Sequence, residues 1–368
     1  MRRIRLILVL TASLLILAAA AFLVGGRTGR VEVGRLERLL QRVEAVTQTW
    51  IRAGDWARED GFTYSVEVGQ LMAHAARRGL RDLYAALREH AVNHLILDDP
   101  ADPLTRGFVI WRHRPETAPD ASGTTEALRV AEGLWLGAGA FARPEDRSLT
   151  ATVIRGYARH AGVDQGMWMI RNYYNLGTRA FATNSYLVDY DPDFIAEVAA
   201  ALDDASLQEV ARRGADVVRS ARAPSGLVYG MIQPEVVTLM PAFELRAFSP
   251  NDTVQLSNAA TVAERAAGSV PELADAVLRF ARDRAGRLRG FYVGRSGRPA
   301  SGHAPGIGGY AALIRLAAKR ADLESARRFA AALAPLAEAF LDHPREPRLY
   351  TASEILSALW CAIELERQ

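Results

Sequence analysis

Residues 61–90 read GFTYSVEVGQLMAHAARRGLRDLYAALREH, and the way this stretch divides decides the fold. A glycine and a short aromatic, β-branched run open it, and apolar and small residues then recur at spacings of three and four from about 64 to 79. A second run with the same spacing covers about 81–94. Two helical periods with almost no room between them describe an antiparallel helical hairpin. The same unit recurs at 124–141 with 147–161, 191–202 with 206–222, 252–267 with 270–286 and 308–320 with 322–341. The joints before these units are alike: GFTYS at 61, GFVIWR at 107, GLVYG at 226 and GFYVG at 290. A joint returns roughly every 50 to 60 residues, the mark of a repeated supersecondary unit. A last run near 350–366 has no successor, and an early one near 31–53 has no predecessor. Pairing these two gives six hairpins and closes a ring, so the sequence predicts an all-α fold, an (α/α)6 toroid. The small residues of LWLGAGAFA and GIGGYAALIRLAA suit inner helices that approach closely. An open solenoid of helical pairs is the rival architecture.

The chain has 368 residues and a net charge of +3, and its basic residues, all arginine except Lys319, are scattered among nearly as many acids. That dispersion argues against nucleic acid as a partner. The single cysteine, Cys361, excludes an internal disulfide and reads as a small core residue. No Cys/His pair stands at metal-ligand spacing, so neither a metal nor a cofactor is expected. The glycine-rich loop around His303 lacks the Gly-Lys-Ser/Thr ending of a phosphate cradle.

Residues 1–30 carry Arg2, Arg3 and Arg5 and then run without charge from Leu6 to Gly26, a length that crosses a bilayer as one helix. The arginine excess before the run puts the N-terminus inside and residues 31–368 outside the cytoplasmic membrane, as a single tethered domain. The alternative is a cleaved signal and a free secreted domain.

In a toroid the loops entering the inner helices share one face, so polar residues at those starts converge. Glu67 lies in the first turn of the first inner helix, beside Tyr64 and Ser65. A carboxyl half-buried among aromatic groups has a raised pKa, as a general acid for glycoside cleavage requires; the plain reading is a first-turn glutamate favoured by the helix dipole. Asp252 in SPNDTVQL reads as the N-cap of a helix starting at Thr253, and the same carboxylate is placed to activate water. Asp120 and Glu126 crowd the start of the second inner helix and are candidate substrate contacts. Tyr64, Trp111, Tyr173, Tyr229 and Tyr292 sit at the joints, where rings with a polar edge suit sugar faces as well as ordinary packing.

At these residues the chain resembles glycoside hydrolase family 8, toroidal enzymes that cut β-1,4-linked glycans with inversion. YSVEVGQLMAHAA is similar to the family's segment around its general acid, GFVIWR to the short segment before its signature, and DASGTTEALRVAEGLWLGAGAF to the signature helix. The resemblance implies Glu67 as acid and Asp252 as base, about 6.5 to 9.5 Å apart for an inverting pair. It departs in the signature loop: Gly123, Thr124, Thr125 and Glu126 stand where the family places two aspartates, and only Glu126 can replace one. The residues around Asp252 do not match the family's Tyr-Asp-x-x-Arg pattern. The implied function is a membrane-tethered glycoside hydrolase acting outside the cytoplasm on a β-linked, cellulose-like or exported polysaccharide, with a polysaccharide synthase or export machinery as partner. The alternatives are a catalytically inactive glycan-binding or assembly protein and a polysaccharide lyase using Tyr173 with Arg171 and Asn172.

Overall fold

A computed structural model describes residues 33–164, 166–232, 252–284 and 286–368; the apolar run expected to be an anchor lies outside the described residues. Among the described residues no helix is long and apolar enough to cross a membrane. Twelve α-helices are present among them: α1 (33–52), α2 (Ser65–Arg78), α3 (Arg81–His90), α4 (Thr124–Ala140), α5 (Pro144–Ala158), α6 (Pro192–Leu202), α7 (Ala205–Ser220), α8 (Leu256–Arg265), α9 (Pro271–Asp283), α10 (Ile307–Lys319), α11 (Leu323–Asp342) and α12 (Arg348–Arg367).

The even-numbered helices form an inner ring. α2 packs on α4, α8 on α10, α10 on α12 and α12 back on α2, while the 3-10 turn Leu187–Asp189 fills the corner between α4 and α8 beside α6. Each odd-numbered helix backs the ring from outside. α1 joins the end of the chain to its beginning: Trp50 packs edge-on against Phe340 of α11, and Glu37 meets Arg367 of α12 at 2.9 Å. The pairing of the first and last helical runs is therefore the one that counting suggested.

Inner helices need close approach, and glycine supplies it between α2 and α4. A Cβ at Gly69 would lie 2.4 Å from the backbone of Arg129, and one at Gly133 would lie 2.7 Å from Met72. α10 is apolar on nearly all sides, with Ala311, Ala312, Leu313, Ile314, Leu316 and Ala317 fully buried, as a helix enclosed by three neighbours must be. Its one buried charge, Arg315, points to the ring axis. There it bonds Glu354 of α12 at 2.8 Å and Glu264 of α8 at 3.1 Å, and Gln70 of α2 donates to Glu354 at 2.7 Å. Buried charges persist only when paired and hydrogen-bonded, so this chain of contacts plugs the axis and ties four inner helices together.

The two faces of the ring differ. Turns from inner to outer helices are tight, such as 79–80, where Gly79 closes α2 in the left-handed conformation at φ 67°. The segments leading into α2, α4, α6, α8 and α10 are long and carry all the short strands, arranged as β1 (Thr63–Tyr64) with β2 (Arg112–His113), β3 (Ala121–Gly123) with β6 (Tyr173–Asn175) and β7 (Ala180–Phe181), β4 (Ala161–Asp164) with β5 (Met167–Ile170), β8 (Ser185–Tyr186) with β9 (Met231–Ile232), and β10 (Thr253–Gln255) with β11 (Phe291–Val293). These strands are a departure from a purely helical expectation. They also correct the capping role of Asp252. Residues 253–255 pair with 291–293, α8 begins only at Leu256, and Asp252 adopts φ 50° ahead of the strand.

Candidate active site

The strand-bearing face collects the polar residues. Glu67 is the third residue of α2, and its side chain is only 1% exposed. Arg58, in the loop before β1, places Nε and Nη2 at 2.7 and 2.6 Å from Oε1, whereas Oε2 is buried without a partner. Burial pushes the carboxyl up to about 7; Arg58 opposes this, and Glu346 and Asp60 reinforce it. The result is a carboxyl with one oxygen pinned and the other unpartnered, raised to about 7, the range in which a carboxyl can act as a general acid near neutral pH.

A wall of aromatic and guanidinium groups stands beside it. The Arg58 guanidinium lies 3.6 Å over the Tyr64 ring, whose hydroxyl donates to Asp60 at 2.6 Å. Trp111 packs edge-on against Tyr64 and donates through Nε1 to Asp120. Arg112, opposite Tyr64 in the β1–β2 ladder, bonds the other Asp120 oxygen at 3.1 Å and lies 4.1 Å over Trp111. Burial pushes the Asp120 carboxyl up, but the bonds from Trp111 and Arg112 outweigh it and hold it below the usual range. The structure therefore brings Tyr64, Trp111 and Asp120 together, linked to Glu67 through Arg58. Arg58 was not legible, because a lone arginine in DWAREDGF has no spacing signal.

Glu126 belongs to a different cluster. It is the third residue of α4 and folds back over Gly123, where any Cβ would meet its Oε2 at 1.9 Å. The glycine that departs from the resembled signature thus makes room for this glutamate. Burial pushes Glu126 up to about 7, with Asp189 adding to the rise and Arg265 opposing it. Asp189 accepts from Thr125 and is raised by burial to about 6. Asp191 caps α6 ahead of Pro192 and is raised by burial to about 7, with Arg265 at 3.7 Å. Three acids thus surround one buried guanidinium. The Asp-Pro start of α6 was a readable cap signal, but its meeting with Glu126 depends on the ring. Tyr173 is exposed opposite Gly123 in the β3–β6 ladder, and Arg171 lies over the Phe181 ring.

Asp252 stands apart from Glu126 in a third group. Its Oδ1 accepts from Tyr229 at 2.8 Å, and Arg295 lies 3.7 Å from Oδ2. Tyr229 is 1% exposed and Tyr292 is fully buried, with its hydroxyl accepting from the Arg289 amide and its ring edge-on to Phe280. Both tyrosines are packing residues, which corrects their assignment as sugar contacts. The first turn of α8 offers Ser257 and Asn258 and no carboxyl. These two line a cavity of about 300 Å³ together with Phe291, His303, Tyr350 and Glu354. Among the described residues no group of three or more His, Cys, Asp or Glu is arranged to hold a metal ion.

A closed ring of six helical hairpins, with loops and carboxyls gathered on one face, is an (α/α)6 toroid. Solved structures agree. The endo-β-1,4-glucanase CMCax from Acetobacter xylinum superposes with a TM-score of 0.61 at 17% identity, covering 89% of this chain and 100% of the enzyme. An α-amylase from Clostridium perfringens gives 0.64 at 12% identity over 83% and 86%. A GH8 protein from Teredinibacter turnerae, solved with xylobiose, gives 0.55 at 16% identity over 84% and 83%. The chain shares the toroidal fold of these structures, among them a family 8 protein, and at these identities the likeness is one of fold. No family model and no curated protein matches the sequence.

Proposed function

We propose that this protein is a glycoside hydrolase that cuts a β-linked polysaccharide by inversion, with Glu67 as general acid and Asp252 activating water. The observation that carries the reading is Glu67 itself: buried, raised to about 7, with Oε1 held by Arg58 and Oε2 unpartnered. The endoglucanase and xylobiose-bound neighbours make a β-1,4-linked glycan the first substrate class to try. The arginine-flanked apolar run at 1–30 supports tethering to the outer face of the cytoplasmic membrane, where an exported polysaccharide and its synthase would be at hand. Tyr64, Trp111 and Asp120 line the approach to Glu67 as sugar contacts.

A second reading, a glycan-binding protein without hydrolysis, is favoured by one observation: the first turn of α8 has no carboxyl, and Asp252 is engaged by Tyr229 and Arg295. Incubating the full-length protein and its Glu67→Gln and Asp252→Asn variants with a panel of β-linked polysaccharides, and counting new reducing ends, separates the two. Hydrolysis lost in both variants supports the two-carboxylate reading. Retained glycan binding with no product from the native protein supports the second.

A further inference from the structure

The tight-turn face of the ring has an opening of its own. A well of about 290 Å³ lies on the axis there, walled by α2, α4, α8, α10 and α12. Gln70 and Arg315, two members of the axial plug, line its inner end. Arg77, Lys319 and Glu364, each in the last turn of its helix, mark its mouth. No residue of the strand-bearing loops lines the well, so the plug separates it from the Glu67 face.

Its lining side chains carry four cations, Arg77, Arg129, Arg315 and Lys319, against three carboxylates, and the pairing among them is lopsided. Glu132 is shared by two arginines, Arg77 at 2.6 Å and Arg129 at 3.2 Å. Glu264 accepts from Arg315 at 3.1 Å, and Glu364 accepts from Arg367 at 2.7 Å. Each carboxylate is thus already held by a guanidinium. The cations are not matched in return. Lys319, the one lysine of the chain, is exposed at the mouth and forms no ion pair among the described residues. Arg129 is 12% exposed, and its Nε is buried without a hydrogen-bond partner. A buried donor left in that state costs free energy that an acceptor entering the well would recover. Trp360 and Cys361, both half-buried, give the well an apolar side.

We propose that this well is a binding site for a small organic acid, with the carboxylate toward Lys319 and Arg129 and the apolar body against Trp360. A cationic ligand would find no free carboxylate there, because all three are engaged by arginines. The site goes beyond the glycosidase reading and does not depend on it: a glycan at Glu67 and an acid in the well lie on opposite sides of the plug.

Cys361, the single cysteine, reports on the well it lines. Iodoacetate and iodoacetamide are close in size and alkylate the same thiolate. The ratio of their rate constants therefore cancels access and thiolate fraction and reads the local preference for negative charge. For the full-length protein in mild detergent at low salt, that ratio should exceed the ratio for the same protein unfolded in urea by about threefold, the effect of one unbalanced cation about 6 Å away at high dielectric. It should return to the unfolded value in 1 M salt, where the screening length is about 3 Å. In Lys319→Glu it should fall below that value, and the melting temperature should stay native because the side chain is exposed. Phenylacetate, a carboxylate joined to a ring, should slow alkylation by iodoacetamide, and phenylacetamide at the same concentration should not. Four results would each overturn the assignment: a ratio no higher than in the unfolded chain, a ratio that Lys319→Glu leaves unmoved, phenylacetate protecting no better than phenylacetamide, or no reaction of the folded protein with either reagent. Release of reducing ends from glycans is read separately, so the glycosidase reading stands or falls on its own.

Discussion

Glu67→Gln should stabilise the folded protein at pH 8 and lose that advantage by pH 5. The carboxyl is 1% exposed and raised by burial from 4.5 to about 7. For a raised carboxyl the folded state holds a proton between the two values that the unfolded state has released. Stability therefore falls as pH rises from 4.5 to 7 and stays low above it. At about 1.4 kcal/mol per pH unit, ionised Glu67 costs the fold about 3 kcal/mol at pH 8. Glutamine removes that cost, and the opposing pull of Arg58 is already contained in the net rise to about 7. The gain is therefore about 3 kcal/mol, a rise of about 4 °C or more in melting temperature. Below pH 5 native Glu67 is protonated when folded, and the variant should be equal or slightly weaker. Thermal melts of both proteins from pH 4.5 to 8.5 read this directly. A difference that is the same at both ends, or a variant weaker at pH 8 than at pH 5, would refute the account of Glu67 as a desolvated carboxyl.

Further outcomes follow from the same geometry. If Glu67 donates the proton, kcat/KM on an unactivated glycan should fall as pH rises through about 7, and Arg58→Gln, which removes the charge that favours the ionised form, should move that limb upward. Gly69→Val forces a side chain into the Arg129 backbone at 2.4 Å and should cost at least about 2 kcal/mol, seen as a lower denaturant midpoint. Arg315→Met leaves Glu264 and Glu354 buried on the axis without their shared cation and should cost about 3–5 kcal/mol in urea unfolding. His160 is 2% exposed and lowered by burial to about 4. The unfolded state gains its proton first on acidification, so this histidine's contribution is lost as pH falls from about 6.5 toward 4, and His160→Phe should flatten that part of the stability curve.

The hairpins were legible because a period of three to four, broken at Gly79 and at Asp191-Pro192, needs only local sequence. Closure was legible by counting, since one unpaired run at each end leaves a ring as the arrangement that buries both. The start of α8 was not. Asp252 has the chemistry of a cap, but pairing of 253–255 with 291–293, which buries Val254 and Tyr292, outweighed it. At the GFYVG joint the reading failed through parity: neighbours in a strand point to opposite faces, and Phe291 at 39% exposure is outside while Tyr292 is in the core. Glu67 was readable as a first-turn acid near aromatics. What holds it, Arg58, and the gathering of Glu126, Asp189 and Asp191 around Arg265 are products of loop geometry and ring closure, which no local spacing encodes.

The central claim, that Glu67 delivers the proton to the leaving oxygen, is tested most directly by leaving-group dependence. A general acid matters when the leaving group is a poor one and little when it departs unaided. Native protein and Glu67→Gln should be compared on an unactivated oligosaccharide and on the matching dinitrophenyl glycoside. We predict a loss of about 10²-fold or more on the oligosaccharide and near-native turnover on the aryl glycoside. Equal losses on both substrates, or none on either, would contradict the assignment.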